Sequence, residues 1–136
     1  PLSDWLLNRF GVRRSRVIQL VGAKAAAATA FLACVFLDSA WAIVGALAMV
    51  AFMTDLGIPA VWAYMMDVGG RNAAAVFGWG NMWGNFGAGV AINLVPQIRE
   101  VWDKNNDWHE AFLFCAAGFM IAAIAASGLN AKSTVE

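Results

Sequence analysis

Charge is what this sequence has least of. Asp, Glu, Lys and Arg make up 13% of its residues, about half of the roughly 25% usual in a soluble domain. Hydrophobic residues make up 61%, so a soluble fold would lack the polar surface needed to stay in water. A greasy soluble helical bundle would also need polar outer faces, and the run from Ala25 to Leu37 offers only Thr29. No basic stripe is present to track a phosphate backbone, so no nucleic-acid partner is expected. The two cysteines, Cys34 and Cys115, sit in apolar runs with no neighbour at metal-ligand spacing, and read as small buried hydrophobes. No secretory signal is expected in its opening residues, which include Asp4, Arg9, Arg13, Arg14 and Arg16. No nucleophile stands with a base, no metal cluster is spaced for ligation and no glycine loop cradles phosphate. The chain is therefore not read as an enzyme, and no cofactor is expected.

What remains is long apolar stretches, each near the roughly 20 residues that cross a bilayer core. Four are expected to be helical spans: 17–37, 40–66, 73–95 and 108–127. None alternates with the period of a barrel strand. The fold class expected is thus all-α integral membrane, with a polar segment 1–16, a bundle over 17–128 and a tail over 129–136. The connections are a tight turn at Asp38 and Ser39, a polar loop over 67–72 and a longer loop over 96–107.

The cations suggest an orientation. Arg9, Arg13, Arg14, Arg16, Arg71 and Lys132 fall on one side, and only Arg99 and Lys104 on the other. By the positive-inside rule both ends are expected in the cytoplasm of a cell (inner) membrane, with the long loop outside. Trp102 and Trp108 then suit an interfacial belt.

Ionisable groups at membrane depth cost a few kcal/mol and ask for a reason. Asp55 lies well inside the second span, with Pro59, Trp62 and Met66 on the same helical face. Pro59 frees the carbonyl of Asp55 by removing a backbone donor. The face reads either as the wall of a polar cavity or as a bond to a neighbouring helix. Lys24, two turns into the first span, either snorkels to the headgroups or pairs with Asp55. In the third span Gly80 and Gly84 form a small-xxx-small pair, and Asn81 and Asn85 stack one turn apart. Their amides suit a hydroxylated or carboxylated solute, or hold helices together. His109 marks the external mouth of the fourth span, which is apolar up to Ser127 and is expected to be a peripheral brace facing lipid.

The segment Asp4-Trp5-Leu6-Leu7-Asn8-Arg9-Phe10-Gly11-Val12-Arg13-Arg14 resembles the cytoplasmic signature loop of the major facilitator superfamily. With four spans following, it is similar to the second copy of that loop, which makes the chain a fragment covering helices nine to twelve of twelve. Eight amino-terminal helices of the same chain would then be missing. Gly57-Ile58-Pro59-Ala60-Val61-Trp62-Ala63, Asp67, and Asn81 with Gly84-Asn85-Phe86-Gly87 resemble the anion:cation symporter family within it, the group of hexuronate, galactonate, sialic-acid and glutamate transporters. The chain departs from that family at Ala88, where a glycine is usual, at Asn93, where a proline is usual, and at Asp55.

The resemblance implies secondary active transport of a small organic anion, such as a sugar acid, by alternating access coupled to H+ or Na+. It implies a substrate site that includes Trp62 and Asn81, with Asn85 added by its amide. It implies a cytoplasmic gate of Asp4, Arg9, Gly11 and Arg13, while Asp55 and Lys24 are the candidates for ion coupling. Another class is left open: a stand-alone four-helix membrane partner or assembly subunit, whose polar residues would be structural.

Overall fold

The computed structural model describes residues 2–102 and 108–129, with side chains over 14–101 and 108–129. Four α-helices and one short 3-10 turn account for nearly all of it: α1 (Leu2–Cys34), α2 (Ala40–Gly69), the 3-10 turn Gly70–Asn72, α3 (Ala73–Trp102) and α4 (His109–Ser127). No strand occurs among the described residues.

Helix α1 does not wait for the apolar stretch. The segment expected as a loop over 1–16 is helical from Leu2 onward, since after Pro1 its only strong helix breaker before Arg14 is Gly11, which costs about 1 kcal/mol in a helix interior. The helix stops at Cys34, short of the expected residue 37. Its end tightens into three-residue bonds: Val35, Phe36 and Leu37 donate to the carbonyls of Leu32, Ala33 and Cys34. Ser39, extended at φ −85°, precedes α2, and Ile43 donates to its carbonyl.

Both internal prolines sit inside helices rather than ending them. Helix α2 runs through Pro59 and on to Gly69, taking in half of the expected 67–72 loop. Helix α3 runs through Pro96 to Trp102, so the loop expected over 96–107 is helical in its first half. At 1.5 Å per residue a 30-residue helix spans about 45 Å, more than the roughly 30 Å of a hydrocarbon core. The polar last turns of α3, with Gln97, Arg99 and Glu100, can therefore project from a bilayer.

Three helical stretches are long and apolar enough to cross a membrane, against the four expected: Arg14–Cys34, Ala40–Val101 and His109–Ser127. The middle stretch, of 62 residues, takes in α2, α3 and the polar residues 67–72 between them. It is folded on itself, because Trp62 of α2 meets Phe77 of α3 and Met65 lies against Gly80. The reversal happens at Gly70, whose φ of +48° and ψ of −120° suit a residue without a Cβ. Its N–H donates to the carbonyl of Met66, closing α2.

Helix α1 is the centre of the bundle, packed along both α2 and α4, and α3 touches α2 and α4 more lightly. The contact surfaces are made of small residues. Ala23, Ala27 and Ala28 of α1, Gly57 and Ala60 of α2, and Ala111, Ala116, Ala123 and Ala126 of α4 are all buried. Leu20, Ala60 and Ala126 join the three helices, flanked by Val21, Val61 and Leu129. Gly57 and Ala23 are so close that a Cβ on the glycine would stand 3.4 Å from the alanine's. Phe31 stacks obliquely on Phe112 and Phe119, at 6.4 and 5.6 Å between ring centres, tying α1 to α4. The fourth helix is therefore an integral partner of the first, and α3 is the more exposed element.

The large side chains face outward. Trp41 is 86% exposed, Phe36 82% and Trp79 66%. Alanine inside with tryptophan and phenylalanine outside inverts the order of a water-soluble core. In lipid that order costs nothing, since acyl chains are as apolar as leucine and small residues let helices approach. The three stretches are compatible with a multi-pass membrane protein.

Candidate functional site

Helices α2 and α3 carry most of the polar groups singled out at membrane depth, and neither α1 nor α4 covers them. Asp55, Trp62, Asn81 and Asn85 are all exposed. Asp55 and Asn85 stand equally far along the chain from Gly70, so the antiparallel pair brings them to a similar height. Closer to the turn, Trp62 meets the edge of Phe77 at 6.1 Å and 64°, and Asn81 is one helical turn beyond Phe77 on the same side. The fold thus puts a carboxylate, an indole and two amides on one hairpin.

The amides are not equivalent. Asn85 Nδ2 donates to the carbonyl of Asn81 at 2.8 Å, which turns that side chain back on its own helix and leaves its oxygen as the outward acceptor. Asn93 does the same toward Gly89, also at 2.8 Å. The sequence marks Asn93 only as a departure from a family pattern, yet it continues the amide row 81, 85, 93. With Phe86, Gly89, Val90, Leu94 and Gln97 it lines a groove of about 540 Å³ along α3. The spacing of Asn85 and Asn93 is the signal that could have found it.

A second group absent from the sequence reading is an aromatic ladder on α3. Trp79, Trp83 and Phe86 pack edge to face, at 6.0 and 5.8 Å between centres. Their i, i+4, i+7 spacing makes a stripe on the side of α3 away from Gly80 and Gly84.

Lys24 is not brought to Asp55. It is half-buried between α1 and α4, with Nζ 5.2 Å from the centre of the Phe119 ring. An ion pair that does cross helices is a different one: Arg16 Nε of α1 to Asp67 Oδ2 of α2, at 3.4 Å. The gate candidates Asp4, Arg9, Gly11 and Arg13 fall on the first turns of α1, and their side chains lie outside the described residues.

At the opposite end of the bundle, Arg99 lies over the Trp108 ring at 4.5 Å, bridging α3 to the start of α4. Asp38, Trp108 and His109 line a cavity of about 540 Å³ there, floored by Cys34, Leu47 and Phe112. Cys34 is buried, Cys115 is partly so, and both are free thiols. Among the described residues no three His, Cys, Asp or Glu side chains gather to hold a metal. No known protein family, curated protein or solved structure matches the chain.

Proposed function

We propose that the chain is the carboxy-terminal part of a major-facilitator-type secondary transporter that moves a small organic anion by alternating access, driven by H+ or Na+. In this reading the Ala40–Val101 stretch is two spans folded at Gly70, which makes four in all. Both ends lie in the cytoplasm, and eight further helices of the same chain complete the molecule.

The observation that carries the proposal is the uncovered hairpin face. Asp55, Trp62, Asn81 and Asn85 are all exposed, with no helix over them, and polar groups do not face acyl chains without cost. A second helical bundle across a water-filled cavity relieves that cost, and it is the arrangement in which midplane sites form. Trp62 would pack on the solute, Asn81 and the outward oxygen of Asn85 would hydrogen-bond its hydroxyls, and Asp55 would exchange the coupling ion. The cation needed for the carboxylate would come from the other bundle. The Arg16–Asp67 pair supports the same reading, since it ties α1 to α2 at the end where the gate motif lies.

The test begins with the gene product itself. A tag after Glu136 should reveal a membrane protein about three times the 14.5 kDa of this chain, as eight more helices require. Vesicles containing it should accumulate a labelled sugar acid down an imposed ion gradient, and Asn81→Ala or Trp62→Ala should abolish that uptake without loss of protein from the membrane. A product near 14.5 kDa would replace the transporter with an assembly subunit, whose open hairpin face docks a partner.

A further inference from the structure

Three consecutive residues of α1 have three different fates. Ser15 is fully buried, Arg16 turns to Asp67 on α2, and Arg14 is exposed on the other side. Among the described residues no carboxylate pairs with Arg14. It lines a cavity of about 340 Å³ between α1 and α4 together with Val17, Ile18 and Ser127.

Two helix segments meet in this cavity. Arg14 lies three residues before Val17, where the apolar run of α1 begins, and Ser127 is the last residue of α4. The helices run in opposite directions, so both residues lie at the same end of the bundle, the end that would meet a membrane surface. Past Arg14, Val17 and the exposed Ile18 lead into the apolar zone, where an acyl chain would lie.

The polar chemistry of the cavity is specific. Arg14 presents a planar cation that matches a phosphate. Ser127 donates its hydroxyl proton to the carbonyl of Ile124 at 2.6 Å, so its oxygen is left to accept. The nearby carboxy-terminal turn of α4 adds carbonyls that also accept and carries partial negative charge. A ligand here needs an anion for Arg14 and hydroxyl donors for the α4 end, above an apolar tail.

We infer that the α1–α4 cavity binds a membrane phospholipid with an anionic, hydroxylated headgroup of the phosphatidylglycerol type, its phosphate on Arg14 and its headgroup hydroxyls at Ser127. The site depends on the chain spanning a membrane and is independent of transport. Arg14 is exposed, so replacing it removes a charge without opening a cavity, and the fold should tolerate it.

The experiment is native mass spectrometry of the purified gene product titrated with dioleoyl phosphatidylglycerol, dioleoyl phosphatidylcholine and inorganic phosphate. Phosphatidylglycerol should bind in preference to phosphatidylcholine. Arg14→Gln should weaken it about fivefold, the worth of one cation beside an anionic surface, and Arg14→Lys should retain most of it. Arg16→Gln removes the same charge from the paired position and should leave binding within about twofold. Equal loss in the two glutamine variants would show a diffuse charge effect and overturn the site. So would equal binding of the choline lipid, or displacement of the lipid by millimolar phosphate, which would mean a free-anion site instead.

Discussion

Arg16 and Asp67 sit 51 residues apart in sequence and 3.4 Å apart in space, joining the start of the first apolar stretch to the last turns of α2. The guanidinium is 15% exposed and the carboxylate 32%, so solvent screens the pair and its contribution to stability is about 1 kcal/mol or less. Its value to a transporter would lie in which conformation it favours. Arg16→Gln and Asp67→Asn should each leave the melting temperature nearly unchanged. Each should alter the labelling rate of a cysteine placed near this pair several-fold. The charge-reversed double variant, Arg16→Asp with Asp67→Arg, should restore that rate. Unchanged labelling in all three variants would reduce the pair to a surface contact.

Gly80 and Gly84 share one stripe of α3 but meet different surroundings. A Cβ at Gly80 would collide with the end of the Met65 side chain, while one at Gly84 would meet nothing within 4 Å. Met65 is flexible and can withdraw, so Gly80→Ala should cost no more than about 1 kcal/mol and Gly80→Val should splay α2 from α3. In the four-helix chain alone, Gly84→Ala should be neutral or should stabilise by about 0.5–1 kcal/mol through the helix preference of alanine. If a second bundle packs there, Gly84→Leu should reduce uptake while the isolated chain tolerates it. Thermal unfolding of the chain and uptake by the whole protein, measured on the same variants, separate the two situations.

Hydropathy made the apolar stretches legible because lipid selects composition. It could not show which helix is central, because lipid-facing and helix-facing residues are both apolar. The distinction lies in size: α4 buries Ala111, Ala116, Ala123 and Ala126 and exposes Ile121 and Ile124. That alanine periodicity is present in a helix that hydropathy alone reads as a brace. Proline misleads in the opposite direction. Pro96 reads as a helix end in the sequence, yet α3 continues for almost two turns beyond it, since a proline removes one donor and kinks a helix without obliging it to stop. At the site, Trp62 and Asn81 are named together only by the family resemblance; in the fold they lie on one hairpin, with Trp62 against Phe77. The direction of Lys24 was not readable, because one charge on α1 has neighbours on both α2 and α4.

That direction carries its own prediction. With Nζ over the Phe119 ring at 5.2 Å, Lys24 gains a cation–π contact of about 0.5–2 kcal/mol, against the few kcal/mol that a charge costs at membrane depth. Lys24→Met keeps the stem and sheds the charge, so it should leave stability unchanged or raise it. Lys24→Ala should destabilise by lost packing on Phe119. Exchanging the charges of Lys24 and Asp55 should rescue nothing that either single variant loses. Recovery of membrane insertion or uptake in the swapped protein would mean that the two meet in a conformation other than this one.

The turn at Gly70 decides whether α2 and α3 lie side by side at all. Its φ of +48° with ψ of −120° is a region that a Cβ disfavours by roughly 1–2 kcal/mol, and no neighbouring atom lies within 4 Å of where that Cβ would stand. The cost of a substitution is therefore backbone strain alone, with no steric clash to confuse it. Gly70→Ala and Gly70→Val should both destabilise the α2–α3 pair by that amount. Asn, which tolerates positive φ better than other side chains, should cost less than either. The readout is a disulfide trap between cysteines at positions 69 and 76, across the turn, where a Cβ on Gly69 would stand 3.5 Å from that of Val76. Trapping should fall in the order Gly, Asn, Ala, and equal trapping in all three would mean that packing between α2 and α3, rather than the turn, sets their approach.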